Sequence, residues 1–323
     1  MARWQFTKGL QDLGSGALAY LTPDGGWSLS NAGIVHDGGE AIVIDTLTDR
    51  RLTDDMIRQF KAAAPDGTRI TRIVNTHAHP DHSWGNGVFA GYEIICSDAT
   101  MAEFDHANAA ARLARLKKAA SEGHEGARFY FDYMAAAGID RSGGSTVKPT
   151  RSFSKRLDLA VGGRSVQLIE VGPAHTSGDV IAYIPENRLL LTGDILFSSG
   201  HPLLSLGSSV DGWIKACELI LSLDVEVIIP GHGPIAEKKH VAATKHYFSY
   251  VRDEARKRFD AGLTAEDAAE EISIDAFRGW GEPERIVANV AHIFEELKGE
   301  KRSSVDPLEG YALMARYKRR HSG

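Results

Sequence analysis

The stretch NTHAHPDHSWGN, residues 75–86, contains three histidines and an aspartate within six positions, although only 13 of the 323 residues are histidine. Neutral imidazole nitrogen and carboxylate oxygen are ligands that divalent zinc binds at short range. His77 and His79 are two residues apart, and at the end of a strand such side chains project to the same side. A proline then redirects the chain before Asp81 and His82. The spacing therefore predicts two adjacent metal ions rather than one.

Each predicted ion needs more ligands than this stretch supplies. Three single residues follow apolar, strand-like runs: His175 in VGPAHTSGD, Asp194 in LLLTGDILF and His232 in VIIPGHGP. Loops at the ends of strands in a rigid sheet are common positions for functional residues. We expect these three residues to complete the ligand set. Asp45, which closes the apolar run AIVID, either supports a ligand from behind or caps the following turn.

The elements that must position these residues are strands in both halves of the chain. Residues 16–45 contain strand-like runs separated by Pro-Asp-Gly-Gly and Gly-Gly turns, which predict hairpins. Two further hairpins are expected, with turns at residues 162–163 and 185–187. Apolar residues at helical spacing follow Asp45 and end at a Pro-Asp-Gly turn, which predicts a helix between two strands.

Helices are expected in two additional regions. Residues 98–140 are rich in alanine, leucine, arginine and lysine, which favours a helical insertion broken at Gly123. Residues from about 235 to 300 predict a C-terminal helical extension, followed by a basic tail, ARYKRRHSG, that we interpret as a solvated, frayed end. Because no low-complexity linker divides the chain, a single domain over residues 1–323 is expected.

Composition and charge argue against several classes of protein. The formal net charge is −6 and the isoelectric point is about 6.1, whereas nucleic-acid binding surfaces are basic. There is no 18-residue apolar run for a membrane span and no apolar core of a signal peptide. Cys96 and Cys217 lie among apolar residues outside any CxxC pair, so they are expected to be buried, reduced thiols. We therefore expect a cytoplasmic protein without nucleic-acid or membrane partners.

The motif HAHPDH, followed by His175, Asp194 and His232 after strands and preceded by Asp45, resembles the metallo-β-lactamase superfamily. The resemblance covers roughly residues 16–235, and all five motifs of the family match in order. It implies an α/β fold, an αβ/βα four-layer sandwich of two mixed β-sheets with outer helices. It also implies a site at one edge of the sandwich.

The resemblance implies a role for each candidate residue. The first metal would be bound by His77, His79 and His175, and the second by Asp81, His82 and His232. Asp194 would bridge the two ions, and Asp45 would orient a ligand from the second shell. The expected cofactors are two zinc ions, with iron or manganese as alternatives. A metal-bridging hydroxide would then attack the substrate, with Asp81 and Asp194 as catalytic carboxylates.

Within the family, the aspartate at position 194 is similar to that of glyoxalase II-like enzymes and lactonases. The expected function is hydrolysis of a small ester, lactone, thioester or ether. The alternatives are an iron-dependent, sulfur-dioxygenase-like oxidoreductase, β-lactam hydrolysis, or a binding subunit without turnover. The sequence is compatible with either a homo-oligomer or a hetero-oligomer. Contact with the small-molecule substrate is expected from Trp27, Trp84, Phe197 and His201, although core packing explains Trp84 equally well.

Overall fold

The computed structural model describes residues 4–23, 29–104, 106–139, 147–299 and 306–321, without the side chains of residues 106–110. Seven strands form a first mixed sheet in sequential order, antiparallel from β1 to β4 and parallel from β4 to β7. They are β1 (Gly9–Gly14), β2 (Ala17–Leu21), β3 (Ala32–Asp37), β4 (Glu40–Ile44), β5 (Arg69–Val74), β6 (Glu93–Ser97) and β7 (Arg151–Phe153).

The second sheet has five strands in the order β12-β11-β10-β9-β8, in which only the β11–β12 pair is parallel. They are β8 (Arg156–Val161), β9 (Arg164–Glu170), β10 (Val180–Ile184), β11 (Leu189–Leu191) and β12 (Val227–Ile229). The turns at residues 162–163 and 185–187 join β8 to β9 and β10 to β11, so both predicted hairpins are confirmed.

Ten α-helices accompany the sheets in the described part of the chain. They are α1 (Arg50–Ala63), α2 (Pro80–Ser83), α3 (Asp98–Glu103), α4 (His106–Ser121), α5 (Glu125–Ala136), α6 (Val210–Ser222), α7 (Lys238–Asp260), α8 (Ala265–Glu271), α9 (Arg285–Leu297) and α10 (Pro307–His321). The predicted insertion is thus three helices, and Gly123 separates α4 from α5 with a φ of +90°. None of these helices is long and apolar enough to cross a membrane.

The strands are apolar on both faces because each sheet is covered on both sides. In β2, Ala19 and Leu21 point into the core between the sheets, whereas Leu18 and Tyr20 pack with α1. Residues i and i+2 of a strand share a face, which explains the alternation. In β10, Ala182 likewise faces the inner core, and its neighbours face the outer helices. The predicted four-layer sandwich is confirmed.

Helix α1 shows how the outer layer is fixed. Asp49 accepts a hydrogen bond from the Leu52 amide at 2.7 Å and caps the helix. Leu52, Met56 and Phe60 recur at four-residue spacing and are buried against the first sheet. Because α1 lies between β4 and β5, it allows these two strands to be parallel and to end at the same edge of the sheet.

The prediction of a solvated, frayed basic tail is right about exposure, since residues 318–321 are exposed, but wrong about fraying. The segment forms α10, in which Leu308, Met314 and Tyr317 are buried. Its basic residues lie on the other face, where Arg319 pairs with Glu125 of α5. The basic residues suggest a solvated end, but apolar residues also recur every three to four positions through this segment, and that spacing indicates an amphipathic helix.

Candidate metal centre

The candidate ligands lie at one edge of the sandwich, just beyond the ends of five strands. Asp45 follows β4, and the histidine cluster follows β5 and continues into α2. His175 follows β9, Asp194 follows β11 and His232 follows β12. The core between the two sheets therefore determines where each of these side chains lies. All seven candidate ligands come together, in two adjacent groups, whose members are His77, His79, His175 and Asp194, and Asp81, His82 and His232.

Asp194 connects the two groups because its two oxygens face different histidines. Its Oδ2 lies 3.3 Å from His175 Nε2 and 3.8 Å from His77 Nε2. Its Oδ1 lies 3.0 Å from His82 Nε2 and 3.3 Å from His232 Nε2. This is the arrangement required of a carboxylate that bridges two cations.

Several atoms of the site are buried without a hydrogen-bond partner. They are Nε2 of His77, His82 and His232 and Oδ1 of Asp194. A buried polar atom left unsatisfied costs on the order of 1–3 kcal/mol. Four such atoms pointing at one small volume are explained if metal ions satisfy them. Imidazole and carboxylate together form a donor set that fits divalent zinc, manganese or iron.

The electrostatics of the first group favour neutral histidines. Burial lowers the pKa of His79 to about 3 and that of His77 well below its usual value. A neutral imidazole is the form that binds a metal. In the second group, burial alone would lower the pKa of His232, but Asp194 and Asp81 raise it to about 9. Metal binding there must therefore displace protons.

Contacts behind the ligands fix their orientation. Asp45 Oδ2 lies 2.8 Å from His82 Nδ1, and its Oδ1 accepts a hydrogen bond of 2.8 Å from the Thr76 amide. His175 Nδ1 lies 2.9 Å from the Leu203 carbonyl oxygen. Partners of this kind set the tautomer and basicity of a metal-binding histidine. The structure thus places Asp45 where it can orient His82.

Gly231 is a residue that the sequence analysis missed. A Cβ at this position would lie 2.0 Å from Asp194 Oδ1, so only glycine allows the turn before His232 to approach the carboxylate. Its amide donates to the Gly193 carbonyl at 2.8 Å. The signal was the PGHG sequence after an apolar strand, where the glycines mark a close backbone approach.

Two cavities open onto the metal centre and share Phe197 and Arg285 in their walls. The apolar cavity, of 260 Å³, is bordered by His79, His175 and Asp194 at the ligands. The polar cavity, of 650 Å³, reaches His232. The Phe197 ring stacks on the His232 ring, with centroids 4.9 Å apart and planes 1° apart. The guanidinium carbon of Arg285 lies over the Phe197 ring, 4.9 Å from the ring centroid.

The other candidate substrate contacts are placed differently. Trp84 is buried in a 3-10 helix outside the described lining of both cavities. His201 is fully buried, with Nδ1 2.9 Å from the Gly281 carbonyl and its ring against Tyr247 and Trp280. It does not belong to the described lining either. Trp27 lies outside the described residues.

His292 and Arg285 are cavity residues that the sequence did not reveal. No metal-binding or catalytic motif surrounds His292 in the sequence, yet it is 5% exposed and lines the apolar cavity. It lies seven positions after Arg285, on the same face of α9. Both faces of α9 are buried, so Arg285 and His292 border cavities instead of solvent, whereas Asn289 bonds to the backbone of Leu204.

With this geometry, a comparison with known proteins is informative. The sequence pattern described as metallo-beta-lactamase superfamily matches residues 25–97 and 102–232, which include every candidate ligand. The chain belongs to the metallo-β-lactamase superfamily. The resemblance to this family, which the five motifs indicated, is thereby confirmed.

Similar superfamily members catalyse different hydrolyses. The chain is 23% identical over 261 residues to a linear primary-alkylsulfatase from Pseudomonas sp. (strain ATCC 19151), covering 72% of this chain and 48% of that protein. It is 27% identical over 239 residues to a hydroxyacylglutathione hydrolase from Rhizobium meliloti, covering 72% and 75%. The chain thus spans about half the length of the alkylsulfatase that it matches.

A solved structure agrees with the fold. The sec-alkylsulfatase Pisa1 from Pseudomonas sp. superposes with a TM-score of 0.68 at 16% identity, covering 90% of this chain and 50% of that one. The DIM-1 metallo-beta-lactamase superposes with a TM-score of 0.53 at 16% identity, covering 74% and 96%. At these identities the likeness shows the fold alone.

Proposed function

We propose that this superfamily member is a dinuclear metal-dependent hydrolase that cleaves an ester-type bond in a small molecule. The observation that supports the proposal most is the position of Asp194, whose two oxygens face two separate groups of buried ligands. A site for one ion would not need a carboxylate oriented in this way. The metal in the proposal is zinc, which takes imidazole and carboxylate ligands, and iron or manganese are the alternatives for the same donors.

The reaction adds the elements of water across the bond. Two divalent ions bound here would supply an activated water and the positive charge that polarises the bond under attack. The water oxygen bonds to the carbonyl carbon, the bond to the leaving oxygen or sulfur breaks, and a proton passes to the leaving atom. Burial of the surrounding side chains limits competing bulk water.

Asp81 is placed to handle that proton. It lines the apolar cavity beside the ligands, with Oδ2 3.3 Å from His232 Nε2. Burial raises the pKa of Asp81, but His82 and His232 lower it by more, so the carboxylate is ionised, as a metal ligand must be. Its proposed part in the proton transfer rests on its position in the cavity beside the other ligands. Asp194 faces histidines with both oxygens and is proposed to balance the charge of the two cations.

The names of similar proteins support an ester-type bond. Besides the two hydrolases above, an acyl-coenzyme A thioesterase from Gallus gallus is 22% identical over 213 residues, covering 63% of this chain and 72% of that protein. An alkyl sulfate is one candidate substrate; it has no carbonyl, so water would attack the carbon or the sulfur of its C–O–S link and release an alcohol and sulfate. Acylglutathione and acyl-coenzyme A are the candidates in which water attacks a carbonyl carbon. Lactones and aryl esters belong to the same proposal, because they present the same electrophilic carbonyl.

The test combines metal analysis with a substrate panel. Protein purified without added metal should contain about two zinc ions per chain and hydrolyse a thioester, lactone, aryl ester or alkyl sulfate. His77→Ala should lose both metal and turnover. One iron per chain with dioxygen uptake would replace the proposal by the oxidoreductase. Turnover of a cephalosporin alone would replace it by β-lactam hydrolysis.

A further inference from the structure

The two cavities on either side of the Phe197–Arg285 wall differ in chemistry. Beyond the metal ligands, the apolar cavity is lined mainly by hydrophobic side chains, among them Leu116, Tyr130, Leu203, Leu204, Leu206 and Met314, although Arg112 and His292 also border it. The polar cavity combines the aromatic side chains Phe129 and Tyr133 with carboxylates and a cation, Asp132, Glu282 and Lys318. One cavity thus suits a hydrocarbon group, and the other suits a group that carries hydrogen-bonding and charged atoms.

Part of the wall of the apolar cavity is a roof that consists of α4, α5 and α10. Leu116 of α4, Tyr130 of α5 and Leu308 of α10 belong to one buried cluster. At the crossing of α5 and α10, a Cβ on Gly126 would lie 2.2 Å from the Leu308 carbonyl oxygen. The helices are therefore in backbone contact, and the cavity below them is already formed.

The floor of the apolar cavity is fixed to the metal centre. Ser205 donates a 2.7 Å hydrogen bond to the backbone carbonyl of His175. Asn289 of α9 accepts from the Leu204 amide at 2.8 Å. Leu206, beside them, lines the cavity and is 61% exposed, so it lies where the cavity meets solvent. A hydrocarbon group entering past Leu206 would reach the first group of ligands.

We propose that the substrate is an amphiphile, with an acyl or alkyl chain in the apolar cavity and a polar leaving group in the polar cavity. The bond to be cleaved then lies at the metal ions, beside the wall formed by Phe197 and Arg285. This inference rests on the proposed function and adds the substrate class to it. Hydrolysis would release the chain as an acid or alcohol on one side and the polar leaving group on the other.

The first experiment measures dependence on chain length. With zinc-loaded protein and p-nitrophenyl acetate, butyrate and hexanoate, kcat/KM should rise up to about fourfold per added methylene. Linear carboxylates of two to eight carbons should bind more tightly with length in calorimetry. If carboxylate binding shows this trend without turnover of any ester, the cavity assignment stands and the proposed function fails. If esters are turned over but kcat/KM does not change with chain length, the proposed function stands and the cavity assignment fails.

Matched alanine substitutions locate the chain. Ala288 lines the apolar cavity, Ala136 lines the polar cavity, and the exposed Ala135 belongs to the described lining of neither. Ala288→Leu should lower the hexanoate-to-acetate ratio of kcat/KM at least tenfold, while Ala135→Leu retains the ratio. If the hexanoate-to-acetate ratio falls in Ala136→Leu and not in Ala288→Leu, the chain does not lie in the apolar cavity and the assignment is overturned.

The leaving group is tested in the same variants. In Ala136→Leu, kcat/KM for a glutathione thioester should fall relative to the thioester of a small thiol with the same acyl group. Ala288→Leu should not change that ratio. Equal ratios in wild type and Ala136→Leu would remove the polar cavity from the proposal. Zinc content and thermal unfolding of each variant identify any that are misfolded.

Discussion

The metal centre and the roof are both assembled from segments distant in the chain, but they are held together differently. Ligands at the metal centre follow strands of the two sheets, and the hydrogen bonds behind them are buried. The roof consists of three helices that contact one another through one apolar cluster and through ion pairs at the surface. The centre depends on the core of the sandwich, and the roof is an addition to it.

This difference separates two aspects of function. The type of bond that is cleaved depends on the ligands and on the metals that they bind, which the sandwich holds in fixed positions. Which substrate reaches them depends on the cavities, one of which is bordered by α10. A change in the roof should therefore alter substrate preference and leave metal content unchanged, whereas a change behind a ligand should do the reverse.

The largest effect is expected for Asp194→Asn. The substitution removes one negative charge from between the two ligand groups, and metal binding should weaken more than the roughly 10–100-fold typical of outer-shell partners. Activity should be lost with the metal. Metal analysis after dialysis against a chelator measures this, with Asp158→Asn, an exposed strand residue, as the control. Full metal content in Asp194→Asn would remove the bridge from the site.

A smaller effect is expected for Asp45→Asn. The amide carries no negative charge and has one acceptor oxygen instead of two, so it cannot serve both His82 Nδ1 and the Thr76 amide as the carboxylate does. Affinity at the second ligand group should therefore fall about 10–100-fold. The first group should keep its metal. Titration of the metal-free protein with zinc should then resolve one tight and one weakened site. If both sites weaken equally, Asp45 acts on the whole loop through Thr76 instead of on one histidine.

The sequence predicted the centre better than the roof for a physical reason. Each ligand follows an apolar strand and stands out locally as a polar residue in a Gly- or Thr-containing turn. The contact between α5 and α10 joins residues about 180 positions apart, and neither helix has a polar motif that indicates a partner. His292 and Arg285 were missed for the same reason, since only the tertiary fold shows that both faces of α9 are covered.

Gly126→Ala tests the roof itself. The added methyl group would overlap the Leu308 carbonyl and the Ala312 amide, and backbone atoms cannot move without displacing α10. Overpacking costs about 1–3 kcal/mol and exceeds the gain of about 1 kcal/mol from replacing glycine in a helix. The midpoint temperature of thermal unfolding should fall by on the order of 2–4 °C, and the zinc content should not change. Gly279→Ala, where the Cβ meets open space, is the matched control.

The smallest effect is expected from the ion pairs at the edge of the roof. Glu125 pairs with Arg319 and Arg316, but the Arg319 side chain is 63% exposed, so Glu125→Gln should cost only about 0.5 kcal/mol. Glu122→Gln, which breaks a pair between Lys118 and the residue that follows α4, should cost about as much. Denaturant unfolding and hydrogen exchange of α10 amides measure both. A loss above about 2 kcal/mol in Glu125→Gln alone would mean that charge, not packing at Gly126, holds α10 in place.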